Sequence, residues 1–171
     1  MTEGARADYC VFHRGDRGFA ISTGLAKEVI ERRTLTPVPH APEELVGALN
    51  LRGEVVPLVS LDSFLDVPAR PLARGDALLV LALGDSRFAA IVDRVAKVKH
   101  FAPWEIRRSV EAEPDTGPLV RGFTGTEKDR LAVLDGETLI RTVVQRVAEG
   151  FRRHPSPAQP VPTALGESKE A

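Results

Sequence analysis

One cysteine in 171 residues leaves no internal disulfide to staple the fold. Cys10, set between Tyr9 and Val11, reads as a small buried hydrophobe rather than a reactive thiol. Four scattered histidines complete no zinc-ligand spacing with it, so no metal and no cofactor are expected. Aromatics are scarce, with one Trp, one Tyr and seven Phe, and the core falls to Val, Leu, Ile and Ala. Neither sign of charge dominates: 23 Lys and Arg face 24 Asp and Glu, which removes the electrostatic footprint of a nucleic-acid binder. No apolar run approaches the ~18–20 residues that span a bilayer. Met1-Thr2-Glu3-Gly4 opens no signal-peptide core. A cytoplasmic chain without membrane insertion is the expectation. No phosphate-binding loop, dinucleotide fingerprint or nucleophile elbow is present, and Ser22, Ser60, Ser63, Ser86 and Ser109 have no base placed by motif. His13, His40, His100 and His154 read as solvent-facing or core-satisfied. No catalytic residue is assigned, and an enzyme is not expected.

What is there is a run of short apolar segments punctuated by turns. The densest is Val46 to Leu61, two apolar runs around Asn50-Leu51-Arg52-Gly53-Glu54, where Gly53 beside charged residues signals a hairpin. Arg52 stands out, because a guanidinium beside a buried hairpin must reach water or a carboxylate. It is either a structural clamp or a contact point. Upstream, Tyr9 to Phe12 and Phe19 to Ile21 flank a turn at 14–18, and 26–30 resumes extended. Three prolines across Thr36 to Pro42 exclude helix and central strand. Asp62 to Leu65 reads as a helical turn with Asp62 as its cap, and 66–75 as a linker. Asp76 to Leu83 is too apolar to face water on either side. Phe88 to Asp93, Val95 to Phe101, Leu119 to Thr124 and Leu131 to Leu134 complete the strands, with 102–118 loop-like. Asp135 is read as a cap and Asp93 as an ion-pair partner or a functional group. Apolar residues from Leu139 to Phe151 then recur at helical spacing, predicting a helix over about 137–152 that packs on its own domain. The tail, 153–171, carries four prolines and few hydrophobes and is expected to be disordered.

An internal repeat organises these segments. Gly15-Asp16-x-x-Phe19-Ala20 recurs as Gly84-Asp85-x-x-Phe88-Ala89, and Val29 has Val98 at the same offset of 69. Gly47 is echoed by Gly122, and Leu61-Asp62 by Leu134-Asp135. The chain therefore divides into two copies of one unit of about five strands, a first barrel over about 8–66 and a second over about 76–140, since closure removes exposed edges. A single sandwich of about nine or ten strands is the alternative. Gly47 and Gly122 lie inside strand patterns, which marks a bulge, a barrel corner or a close backbone approach, by the chain itself or by a partner.

Several segments together resemble the CheW-like coupling-protein family of bacterial chemotaxis. They are Phe19-Ala20-Ile21, Lys27-Glu28-Val29-Ile30, Leu35 to Pro42, the whole of Val46 to Leu61, Ile91-Val92-Asp93-Arg94-Val95 and Gly122-Phe123. The resemblance spans about 8–150. It implies a mostly β fold of two SH3-like five-stranded barrels plus the C-terminal helix, and no catalysis. It also implies an adaptor joining the cytoplasmic tip of a methyl-accepting chemotaxis receptor to the regulatory domain of a chemotaxis histidine kinase, in arrays at the inner membrane. Carried onto matching positions, Ala26, Val29, Gly47, Asn50 and Arg52 would lie in or near a receptor groove. Gly53 and Gly122 are read from the hairpin signal and the strand pattern as structural turn residues. Ser22-Thr23-Gly24 and Ala89-Ala90 depart from the family pattern, and homologous modules serve surface motility and gene regulation as well as flagella. A small-barrel nucleic-acid binder is the competing class. It lacks its basic stripe and exposed aromatics here.

Overall fold

The computed structural model describes residues 5–31, 34–108 and 118–153. The strands follow the turn signals: β1 (Ala7–Arg14), β2 (Arg17–Ser22), β3 (Ala26–Ile30), β4 (Leu45–Leu51) and β5 (Glu54–Val59). A short helix, α1 (Asp62–Leu65), and the linker then lead to β6 (Ala77–Leu83) and β7 (Ser86–Val92). The expected strand at 95–101 is two pieces, β8 (Arg94–Val95) and β9 (Lys99–Phe101), followed by a single 3-10 turn at Pro103–Glu105. β10 (Val120–Thr124), β11 (Leu131–Leu134) and the helix α2 (Gly136–Arg153) finish the chain. The tail, 154–171, lies outside the described residues.

Two sheets form, in the orders β10-β11-β2-β1-β8, with β9 also on β1, and β3-β6-β7-β5-β4. The orders are equivalent under the repeat, but the sheets do not divide at the linker. The hairpin β1–β2 joins the strands of the second repeat, and β6–β7 joins those of the first. The barrel boundaries expected at 8–66 and 76–140 are therefore corrected. Each barrel takes its hairpin from the other repeat. The exchange is made by two parallel contacts, β2 on β11 (Phe19 opposite Ala132) and β5 on β7 (Leu58 opposite Ala89). Each sheet then curls closed in the same way. Thr36, just past β3, bridges Ala48 on β4, and Arg107, past β9, bridges Phe123 on β10.

The exchange explains the strand that was too apolar for one wet face. Along β6, Leu78 and Val80 fill one barrel with Ile30, Leu49, Val56, Leu58 and Ile91. Leu79 and Leu81 point the other way, into a larger core between the sheets. β1 does the same: Tyr9 and Val11 fill the second barrel, while Cys10 and Phe12 face the shared core. Both central hairpins are thus buried on two faces, the condition under which strict apolar–polar alternation disappears. Burial also pushes the Cys10 thiol pKa up. α2 seals the shared core with Leu139, Ile140 and Val143. Asp135 caps it by accepting the Thr138 amide at 3.1 Å.

Asp62, the counterpart of Asp135, does not cap. Leu61 holds that position, and the Asp62 carboxylate instead takes a bidentate grip from Arg14, Nε at 2.6 Å and Nη2 at 2.8 Å. A partner 48 residues away outcompetes the local amides because a charge-assisted double contact is stronger than a single cap bond. Burial alone would raise the Asp62 carboxyl. The Arg14 hydrogen bond, the Arg70 amide and the Arg14 charge outweigh it and hold the group below the usual carboxylate range.

Candidate functional site

The β4–β5 hairpin closes on Leu51 opposite Glu54, leaving a two-residue turn of Arg52 and Gly53. Both sit at positive φ, 52° and 86°, the signature of a turn whose twist matches the flanking strands. Glycine accepts that conformation freely, and asparagine tolerates it. A long side chain with a Cβ does so at a cost of order 1 kcal/mol. Asn50 steadies the turn, its Oδ1 accepting the Gly53 amide at 2.9 Å. Asn50 is therefore a turn residue, with its carboxamide oxygen already engaged.

Arg52 leaves this turn with 69% of its side chain exposed and reaches β3, where Nη2 donates to Glu28 Oε1 at 2.5 Å. Arg87, at the start of β7, donates to the same Glu28 oxygen at 3.0 Å and to Glu54 Oε2 at 2.7 Å. The result is an alternating chain, Arg52–Glu28–Arg87–Glu54, laid across one end of the first-repeat barrel. Exposed pairs of this kind contribute about 0–1 kcal/mol each, so the chain adds little to stability. Its effect is to hold a guanidinium in a defined place at the surface. Glu28, Arg87 and Glu54 were not among the expected site residues. Only Glu54 carried a local signal, as part of the turn.

The other expected positions separate into surface and scaffold. Val29, on β3 next to Glu28, is 50% exposed. Ala26 lies opposite Leu81 and packs half-buried against the shared core. A register shift between Ala26 and Glu28 marks a bulge that separates them. Gly47 is buried at another shift, between Leu45 and Gly47, and a Cβ there would stand 3.1 Å from the Thr36 carbonyl oxygen. Gly122 repeats the device with a shift between Val120 and Gly122, and its Cβ would stand 2.7 Å from the Arg107 carbonyl oxygen. Both glycines admit the chain's own closing strand, and the close approach read from sequence is made by the chain itself. Glu28 and Arg52 thus meet at the hairpin tip, with Asn50 supporting the turn. Val29, paired with Leu79, faces the other side of β3 from Glu28, and Gly47 and Ala26 shape the barrel beneath.

Two further groups raised by the sequence are accounted for. Asp93 pairs with Arg14 and Arg70 and accepts the Gly15 amide at 3.0 Å, which is the ion-pair reading. His13 faces Gly18 across β1–β2, and its Nδ1 is buried without a partner among the described residues. Burial, with Arg94 adding, pushes its pKa down.

Comparison with known proteins places this geometry. A structure of the scaffolding protein TtCheW from Thermoanaerobacter tengcongensis superposes with a TM-score of 0.66 over 76% of this chain and 89% of that one, at 19% identity, which speaks for the fold. A probable chemotaxis protein CheW from Rhizobium etli is 26% identical over 141 residues, covering 81% of this chain and 90% of that protein. Chemotaxis protein CheW from Treponema pallidum is 31% identical over 91 residues, 51% of this chain and 54% of that protein. Protein PilI from Pseudomonas aeruginosa is 31% identical over 90 residues, 53% of this chain and 51% of that protein. The family model described as the CheW-like domain matches residues 8–144, from the first strand into α2, and the chain belongs to that family.

Proposed function

We propose that this chain is a non-enzymatic adaptor that couples chemoreceptors to a chemotaxis-type histidine kinase. Its partners are the cytoplasmic tip of a methyl-accepting receptor and the regulatory domain of the kinase, met at arrays on the inner membrane. Family membership supports the adaptor role. The observation that carries the site is Arg52, an exposed guanidinium held at φ 52° where glycine or asparagine would sit with less strain. In this reading Val29 and Arg52 touch the receptor, and Ala26, Gly47 and Asn50 set the surface that presents them. Val29 would supply an apolar contact and Arg52 a charged one to an amphipathic receptor helix. Many such modest contacts, repeated in an array, reach useful strength through avidity.

The experiment is a pull-down from the native cell with wild type and Arg52→Glu. Recovery of a receptor and a histidine kinase by folded wild type, with the receptor lost from folded Arg52→Glu, is the expected result. Equal recovery by both would remove Arg52 from the interface. A second reading, a CheW-like module serving surface motility or gene regulation, is favoured by the match to PilI, a family relative under another name. The kinase and receptor recovered by the same pull-down tell the two outputs apart.

A further inference from the structure

The repeat offers each central hairpin two seats. β1–β2 can lie on β3–β5 of its own repeat or on β8–β11 of the other, and apolar alternation alone is satisfied by either. The observed seat is the exchanged one for both hairpins. The hairpins differ sharply at one position. β1 ends in Arg14 and β6 in its counterpart, Leu83, each just before a Gly-Asp turn. Leu83 is half-buried against the shared apolar core. Arg14 is 1% exposed and enters a cluster of charges.

That cluster draws on four separate stretches of chain. Besides Asp62, Arg14 reaches Asp93 at 3.3 Å, Asp76 at 4.0 Å and the Arg70 carbonyl at 3.2 Å. Arg70 closes the group, gripping Asp76 with both terminal nitrogens at 2.7 and 2.9 Å and pairing with Asp93. Its amide donates to Asp62 at 3.2 Å, and the Ala73 amide donates to Asp76 at 2.7 Å. The seat now held by Leu83 offers no such reception. Of the cluster's carboxylates, Asp62 has a counterpart in Asp135, which is engaged in capping α2, and the position matching Asp93 is Gly24.

We propose that Arg14 selects the seat: the buried charge cluster makes the exchanged placement of the β1–β2 hairpin the only one in which the guanidinium is paired. Seated on its own repeat, the hairpin would bury Arg14 where Leu83 now lies, and would leave Asp62, Asp76 and Asp93 with Arg70 alone. Both errors are strongly unfavourable, because breaking a buried pair strands a charge. A packed apolar substitute would stabilise the fold as well or better without telling the seats apart, which gives a reason for charges in a buried place. The same device acts against a hairpin seated on a second copy of the chain through a shifted register.

The test is refolding of the full chain from urea with isotope labels. Backbone contacts between Ala20 and Val133 report the exchanged seat, contacts between Ala20 and Leu58 report the own-repeat seat, and a mixed-label sample reports hairpins seated on a second copy. Wild type is expected to show the first alone. Arg14→Leu with Asp62→Leu is expected to fold while raising the misplaced hairpins about tenfold or more. The same double variant refolding to the Ala20–Val133 pairing as completely as wild type would overturn the proposal. Should it not fold, the transposed pair, Arg14→Asp with Asp62→Arg, decides. Restored single seating supports the selector, and mixed or failed seating removes it.

Discussion

The two repeats build the same barrel and finish it differently. Both carry a buried glycine beneath a closing strand, both lend a hairpin to the other, and both place an aspartate after the last strand of the unit. They part at three positions. Arg14 stands against Leu83, Asp62 in a buried ion pair against Asp135 in a helix cap, and the two-residue Arg52-Gly53 turn against the longer 125–130 connection. What the repeats share is what the barrel requires. What they do not share is free to serve assembly or partners, and at Arg14 the first repeat buries a charge where the second has the apolar Leu83.

Breaking the differences should cost more where the charge is buried. Arg14→Ala is expected to destabilise by about 3–5 kcal/mol, since it takes from the buried Asp62 its bidentate partner, and Leu83→Ala by about 1–2 kcal/mol at a half-buried site. Urea unfolding at neutral pH compares them, and equal losses would mean that the cluster is no more than packing. Removing the shared feature should act on both repeats. Gly122→Ala and Gly47→Ala each crowd a carbonyl oxygen, at 2.7 and 3.1 Å. Losses of about 1–3 kcal/mol are expected, larger at Gly122, and the order of the two melting temperatures checks this.

The ion cluster also sets a pH dependence that the second repeat lacks. Asp62 and Asp76 are held below the usual carboxylate range in the fold, Asp76 chiefly by the Arg70 hydrogen bonds. Their contribution is therefore complete above the unfolded value of about 4 and lost as pH falls through the lower folded values. Stability should fall steadily below about pH 4 in wild type and more shallowly in Arg14→Leu with Asp62→Leu, as denaturation at stepped pH would show. His13 adds a smaller loss at higher pH. Its folded pKa lies below the ordinary histidine value, so stability declines as pH drops through about 6.5, and His13→Gln should flatten that segment of the curve.

Much of this was legible in the residues. Turn signals located the hairpins, the 69-residue echo revealed the repeat, and glycines inside strands marked Gly47 and Gly122 as special backbone positions, leaving open whether a bulge, a corner or a close approach was the reason. The exchange of hairpins was not legible. Alternation tells which face of a strand is buried and not which neighbour it joins, and the parallel contact of β2 with β11 has no turn to announce it. Asp62 was misread for a related reason. A cap is a local pattern, whereas its real partner, Arg14, lies 48 residues away. Glu28 and Arg87 escaped notice because each is an ordinary surface charge until the fold sets them beside Arg52. The helix, by contrast, came out within a residue of its predicted span, since a sustained apolar stripe needs no distant information.

The least costly change to the fold tests the most about the site. Arg52→Asn puts a side chain that tolerates positive φ beside Gly53 and removes the guanidinium. If Arg52 is kept for a partner against the preference of its turn, the variant should unfold at the same urea concentration as wild type or a higher one, and should lose receptor capture. A variant destabilised by more than about 1 kcal/mol that still captures the receptor would show Arg52 to be a clamp within the barrel.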